Sequence, residues 1–226
     1  MGRFDLTLTS YEGDDCAEVV VPGGVTEVGT GAFRRHREIT SVVLPEGLRV
    51  IGENAFSECG RLKQVVLPST LLAIEKRAFR GCSRLERIVI PAGVEVISPF
   101  AFSLCPNLLS VTGGEGVYSI GDGAFSGCRR MGVCEPLAGA MDLGVHAFSW
   151  CCALTEVVLP ETMVYLDKEA FRGCSSLERV VMPQAVEHLG PRLFLNCTSL
   201  VDVEAAPELV EKNPEAFPEW LLEPEG

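Results

Sequence analysis

The chain has 226 residues, is 47% hydrophobic and 22% charged, and carries a formal charge of -12. That composition is ordinary for a globular protein. The charge argues against nucleic acid and against an anionic membrane surface, both of which call for clustered Lys and Arg. No apolar run approaches the roughly 18–20 residues of a membrane-spanning helix.

The chain begins MGRFDLTLTSYEG, which lacks the basic and apolar regions of a secretory signal. Two placements fit that start, a cytoplasmic protein or one that begins after a removed signal. The acidic trio Glu12, Asp14 and Asp15 lacks calcium-loop spacing and reads as a solvated turn. Residues 1–32 are expected to form a partial repeat that caps the N-terminal end, with Cys16 at the leucine position of its strand.

From residue 33 the chain is periodic. Phe33, Phe56, Phe79, Phe102, Phe125, Phe148, Phe171, Phe194 and Phe217 follow one another at steps of 23, and they are nine of the eleven phenylalanines. Six residues after each of the first eight comes Ile39, Leu62, Leu85, Leu108, Met131, Leu154, Leu177 or Leu200, and three later a Val, Ile or Cys. The unit reads A-F-x-x-C-x-x-L-x-x-V-x-L-P-x-x-V-x-x-I-G. A unit of 23 residues cannot bury its own apolar face, so stacked neighbours must cover it. L-x-x-V-x-L predicts a strand that pairs in parallel and in register with the strands of adjacent repeats, about 4.8 Å away. The proline after it ends the ladder. The glycine after the Ile column (Gly52, Gly121, Gly144, Gly190) is expected to supply the turn that returns the chain.

This conjunction of Ala-Phe, Cys and Leu-Pro marks, over residues 16–217, resembles the bacterial leucine-rich repeat of the Treponema pallidum and BspA type. The resemblance implies surface or secreted interaction proteins, adhesins among them. The expected fold is a single leucine-rich repeat solenoid. It has a parallel β-sheet on the concave face and short irregular or 3-10 segments on the convex side. Full repeats span 33–205, and 206–226 form an acidic partial repeat that caps the C-terminal end, closed by Phe217-Pro-Glu-Trp-Leu-Leu. Residues 201–226 hold Asp202 and seven Glu against Lys212 alone.

Of ten cysteines, seven (Cys59, Cys82, Cys105, Cys128, Cys151, Cys174, Cys197) form one column three residues after Phe, and Cys134 takes a Val position. Only Cys152 is off the pattern. The column reads as a small apolar core ladder. Zinc sites need paired short-spaced cysteines. Ladder side chains that point the same way disfavour disulfides between rungs. His36, His146 and His188 occupy three different repeat positions, so no thiol has a regular base beside it. A reduced column favours a cytoplasmic or periplasmic location, against the surface habit the resemblance implies.

With the Leu and Val columns inward, one outward strand column reads Val20, Val43, Val66, Val89, Thr112, Glu135, Val158, Val181, Glu204. Its neighbour is polar and includes Gln64, Arg87, Glu156 and Arg179. The expected function is non-catalytic binding of a protein partner by Val43, Val66, Val89, Val158 and Val181, with those four polar residues setting specificity. A homodimer through the same stripe, or binding of an apolar small molecule or lipid there, are the alternatives. Valine at an exposed strand position also follows plain β-propensity. No cofactor, metal site, nucleophile–base pair or phosphate loop is expected. The stripe breaks at Gly113, Gly114, Gly116 and Pro136, where strand pairing should weaken. Trp150 is open to two roles, an outward anchor or a side chain packed on its own turn. Arg34, Arg35 and Arg37 read as a solvated cluster.

Overall fold

The computed structural model describes residues 6–12, 17–184 and 186–222; Asp14, Asp15 and Cys16 lie outside them. Each repeat forms one turn of a parallel-strand β-solenoid of about eight turns. Eighteen strands, β1 to β18 in chain order, sort into two ladders, because each repeat crosses the solenoid wall twice.

The even-numbered ladder is built from the L-x-x-V-x-L segments. It comprises β2 (Glu18–Val20), β4 (Ser41–Val43), β6 (Gln64–Val66), β8 (Arg87–Ile90), β10 (Ser110–Gly113), β12 (Val133–Cys134), β14 (Glu156–Val158), β16 (Arg179–Val181) and β18 (Asp202–Glu204). The register follows the repeat, with Val42 opposite Val65 and Val180 opposite Val203. This ladder is not one sheet. It is three three-stranded sheets, with no strand pairing between β6 and β8 or between β12 and β14.

The odd-numbered ladder was not expected as a sheet. β1 (Leu6–Leu8), β3 (Val25–Val28), β5 (Val50–Ile51), β7 (Ala73–Ile74), β9 (Val96–Ile97), β11 (Ser119–Ile120), β13 (Asp142–Leu143), β15 (Tyr165–Leu166) and β17 (His188–Leu189) form an unbroken nine-stranded parallel sheet. Most of its strands have two residues, and the second of each pair is buried, wholly so at Ile51, Ile74, Ile97, Ile120 and Leu166.

Between the ladders, the Ala-Phe segments form hydrogen-bonded turns that stack by rung: Phe56 N–H donates to Ala78 O at 2.7 Å and Phe79 N–H to Ala101 O at 2.8 Å. Phe33 to Phe171 are wholly buried and stack with ring centroids 4.8–5.6 Å apart. Burying each ring contributes roughly 2–3 kcal/mol. Tyr11 closes the N-terminal end of this stack at 4.9 Å from Phe33. At the other end the spacing opens to 6.5 Å between Phe194 and Phe217. There α1 (Pro207–Lys212) and two 3-10 turns (Pro214–Ala216 and Glu219–Leu221) replace the repeat. Phe217 is buried, whereas Trp220 and Leu222 stay exposed.

The glycines after the Ile column serve a different purpose from the one their position suggested. None of Gly52, Gly121, Gly144 and Gly190 has a positive φ. A Cβ on Gly144 would lie 2.5 Å from Asp122 N, and one on Gly190 2.3 Å from Lys168 N. They let successive rungs approach closely. The left-handed turns lie elsewhere, two residues before and two after each Phe, as at Asn54 and Glu58 or His146 and Trp150.

The irregular centre also differs in detail. The glycines do not end their strand, since β10 runs through Gly113, which pairs with Ile90. The break comes one repeat later. Pro136 lies in a 3-10 turn, Glu135–Gly139, that ends β12 after two residues, consistent with the amide that proline lacks.

Candidate interaction surface

The outward column of the even ladder is exposed. Val20 is 74% exposed, Val43 41%, Val66 44%, Val89 63% and Val158 57%, while the inward Val42, Ile88, Val111 and Val180 are at most 2% exposed. Period-two alternation on a parallel strand puts these two sets on opposite faces. Val181 is half-buried, and Thr112 and Glu135 interrupt the apolar run in the middle.

The structure groups the sequence-predicted residues unevenly. Gln64, Val66, Arg87 and Val89 line one cleft of about 510 Å³, with Lys63, Leu67 and Glu86 at its margins. The cleft sits on the unpaired seam between β6 and β8. Val43 lies one rung away, paired in register with Val66. Glu156, Val158, Arg179 and Val181 lie beyond the second seam, in the sheet of β14, β16 and β18. There Arg179 is held by three carboxylates on the two flanking strands: Glu156 of β14 at 3.3 Å, and Glu204 at 2.8 Å and Asp202 of β18. That patch presents a fixed ion-pair network with an excess of acid. Lys63, Leu67 and Glu86 were not singled out in the sequence, because the seam that exposes them has no residue-type signature.

The cysteine column is core. Cys59, Cys82, Cys105, Cys128, Cys151 and Cys174 are fully buried, and the nine described cysteines carry free thiols. Each thiol of the column donates to the carbonyl of the Phe in the preceding repeat: Cys82 to Phe56 O, Cys128 to Phe102 O and Cys174 to Phe148 O, all at 3.2 Å. Burial pushes the Cys59 and Cys134 thiols up to about 12 and those of Cys82, Cys128 and Cys151 well above the ordinary value. Such thiols stay protonated at neutral pH, whereas nucleophilic cysteines have depressed values. Among the described residues, no group of three or more His, Cys, Asp or Glu could hold a metal ion. No helix among them is long and apolar enough to cross a membrane.

On the turn face, Trp150 is 45% exposed and lies over Gly173, where a Cβ would approach its ring to within 2.7 Å. It packs on the next rung rather than on its own turn. Arg35 of the basic cluster pairs with Glu58 at 2.8 Å.

Two parallel ladders wound from identical 23-residue turns, with a Leu-Val core and an open strand face, define a leucine-rich repeat solenoid. The chain belongs to the BspA-type leucine-rich repeat family, whose repeat region matches residues 8–132 and 140–222 in six copies. It is similar to the Treponema pallidum leucine-rich repeat protein, at 30% identity over 91% of this chain and 85% of that one, with a TM-score of 0.63. A leucine-rich cell surface protein of Faecalibacterium prausnitzii shares the fold at 23% identity, over 90% of this chain and 82% of that one, with a TM-score of 0.53. So does the pneumococcal vaccine antigen PcpA, at 17% identity over 89% of this chain and 67% of that one, with a TM-score of 0.54. Comparison with curated proteins returns no match. The family is one of interaction and surface repeat proteins.

Proposed function

We propose that the chain is a non-catalytic binding protein that engages a protein partner through the exposed face of the even ladder. Val43, Val66 and Val89 are the apolar anchors, Gln64 and Arg87 their polar rim. Val158, Val181, Glu156 and Arg179 form a second patch beyond the Pro136 break. The carrying observation is the run of exposed valines that leads into the cleft between β6 and β8. An apolar strip edged by polar side chains is the composition of an interface core and rim. That a relative by fold is a cell surface protein and another a vaccine antigen supports a host-facing or adhesive role.

The test is light scattering behind size exclusion on the native chain and on a Val66→Glu, Val89→Glu double variant, followed by partner capture with both. A native monomer whose captured partner is lost in the variant, with unchanged unfolding, supports the reading. A native dimer that becomes monomeric in the variant makes the stripe a self-association face instead. A partner retained by the folded variant overturns the assignment.

A further inference from the structure

The turn face of the solenoid, which carries the Ala-Phe segments, has the reverse charge of the chain. The eight turn segments from three residues before Phe to four after it hold ten Lys and Arg against four Asp and Glu, in a protein of net charge -12. A cleft of about 580 Å³ opens on this face across the first four rungs. Its floor is the column just after Phe, which reads Arg34, Ser57, Arg80, Ser103, one hydrogen-bond donor per rung. Ser57 is 1% and Ser103 5% exposed, and both line the cleft.

The arginines are only partly neutralised. Arg34 has no ion pair among the described residues, and Arg80 reaches Glu58 only at 4.0 Å. Arg77 leans on the Phe100 ring, 5.5 Å from its centroid, and lies 3.8 Å from Glu53. The ring also packs against Gly123 of the next rung, where a Cβ would come within 2.6 Å of it. Phe100 is thus engaged by Arg77 and by Gly123, and it lines the cleft half-buried. The turn face has no strand edge for a peptide backbone to join. The cleft instead mixes Arg, Ser and Asn54 donors with the Glu58 acceptor, and sugar hydroxyls both donate and accept.

We propose that this cleft binds an acidic saccharide, with sulfate or carboxylate groups seated against Arg34 and Arg80 and hydroxyls bonded to Ser57, Ser103 and Asn54. Arginine matches such oxyanions in a fork geometry that lysine lacks. The ligand would run along the solenoid axis, in a cleft that shares no lining residue with the one between β6 and β8.

The test is calorimetric titration of the full chain with a heparin hexasaccharide, its desulfated form, and an oligo-glutamate and a single-stranded oligonucleotide of matched charge. The sulfated sugar should bind at least tenfold tighter than the other three. Arg34→Gln with Arg80→Gln should weaken it tenfold or more, and Ser57→Ala with Ser103→Ala, which keeps every charge, several-fold. Arg87→Gln and Val66→Glu, in the separate cleft between β6 and β8, should leave it unchanged. Absence of binding, binding retained in the arginine variant, or equal affinity for oligo-glutamate or the oligonucleotide would each overturn the proposal.

Discussion

The Cys82 thiol donates to the carbonyl of Phe56, 26 residues earlier, at 3.2 Å, and the same bond recurs between Cys59 and Phe33 at 2.9 Å and between Cys151 and Phe125 at 3.3 Å. A turn that stacks on its neighbours leaves a carbonyl pointing along the axis, and a thiol is a side chain small and apolar enough to be buried there that can still donate. Replacing Cys82 by Ala should cost about 1–2 kcal/mol through the unsatisfied carbonyl and lost contacts. Cys82→Ser, which keeps a donor, should cost less than Cys82→Val, which fills the volume and orphans the carbonyl. Urea unfolding of the three variants ranks them, and a Val variant as stable as Ser would contradict the donor role.

The same burial makes stability fall in alkali. The folded Cys59 and Cys134 thiols titrate at about 12, above the ordinary value of 9.0. A group whose folded value is raised contributes stability in full below its unfolded value and loses it as pH climbs towards the folded one. The urea midpoint should therefore hold up to about pH 9 and decline between there and 12. At pH 8, alkylation mapped by mass spectrometry should spare Cys59, Cys82, Cys105, Cys128, Cys151 and Cys174 until denaturant is added. Rapid native labelling of that column would refute a closed core.

Rung contact sets the tolerance for glycine. A Cβ on Gly144 meets the backbone and carboxylate of Asp122 at 2.5 Å, and that carboxylate accepts the Val145 N–H at 2.9 Å. Gly144→Ala should destabilise by about 1–3 kcal/mol through overpacking. Gly24 has φ +95 and open space around its Cβ position, so Gly24→Ala carries only the conformational cost, about 1 kcal/mol. Thermal unfolding should order the two accordingly, and an equal effect would remove close approach as the reason for Gly144.

Glu169 is the buried charged side chain among the described residues, 3% exposed, with Arg172 at 2.7 Å, Arg192 at 3.0 Å, Lys168 at 3.6 Å and His146 at 3.7 Å. Burial works to raise its carboxyl, but the Arg172 hydrogen bond and the charges of Arg192, Arg172 and His146 prevail and hold it below the ordinary value. A lowered carboxyl contributes stability above its unfolded value, roughly 4.3, and loses it as pH falls through the folded one. Glu169→Gln should cost about 1–3 kcal/mol at pH 7, since its cations are all partly solvated. Wild type and variant should converge once pH has fallen below the folded value. A gap that persists in acid would mean the loss is steric.

The features legible in the sequence were those that recur as residue types. Phe, Leu and Cys each stand where only a buried position explains a column of them, and Val43, Val66, Val89 and Val158 are exposed as alternation requires. The odd ladder was hidden because its strands are two residues long, too short for any period to show. The left-handed positions were hidden for another reason. Asn54, Arg77, Phe100, His146, Glu169 and Arg192 share one backbone conformation and no side-chain chemistry, since stacking imposes the conformation on whatever residue stands there.

The seam between β6 and β8 is the feature of the proposed interface least visible in sequence, and amide exchange tests it. Leu44 N–H donates to Val66 O at 3.2 Å, and Val21 N–H makes the equivalent bond to Val43 O at 3.0 Å. Leu67 stands at the same repeat position, but its strand has no pairing partner in β8. Its amide opens onto the cleft that Gln64, Val66, Arg87 and Val89 line. Leu67 should therefore exchange at least tenfold faster than Leu44, since exchange reads local opening. A bound partner that covers the cleft should slow Leu67 and leave Leu44 unchanged. Equal protection of the two amides in the free protein would mean that β6 and β8 pair in solution, and that the cleft is closed.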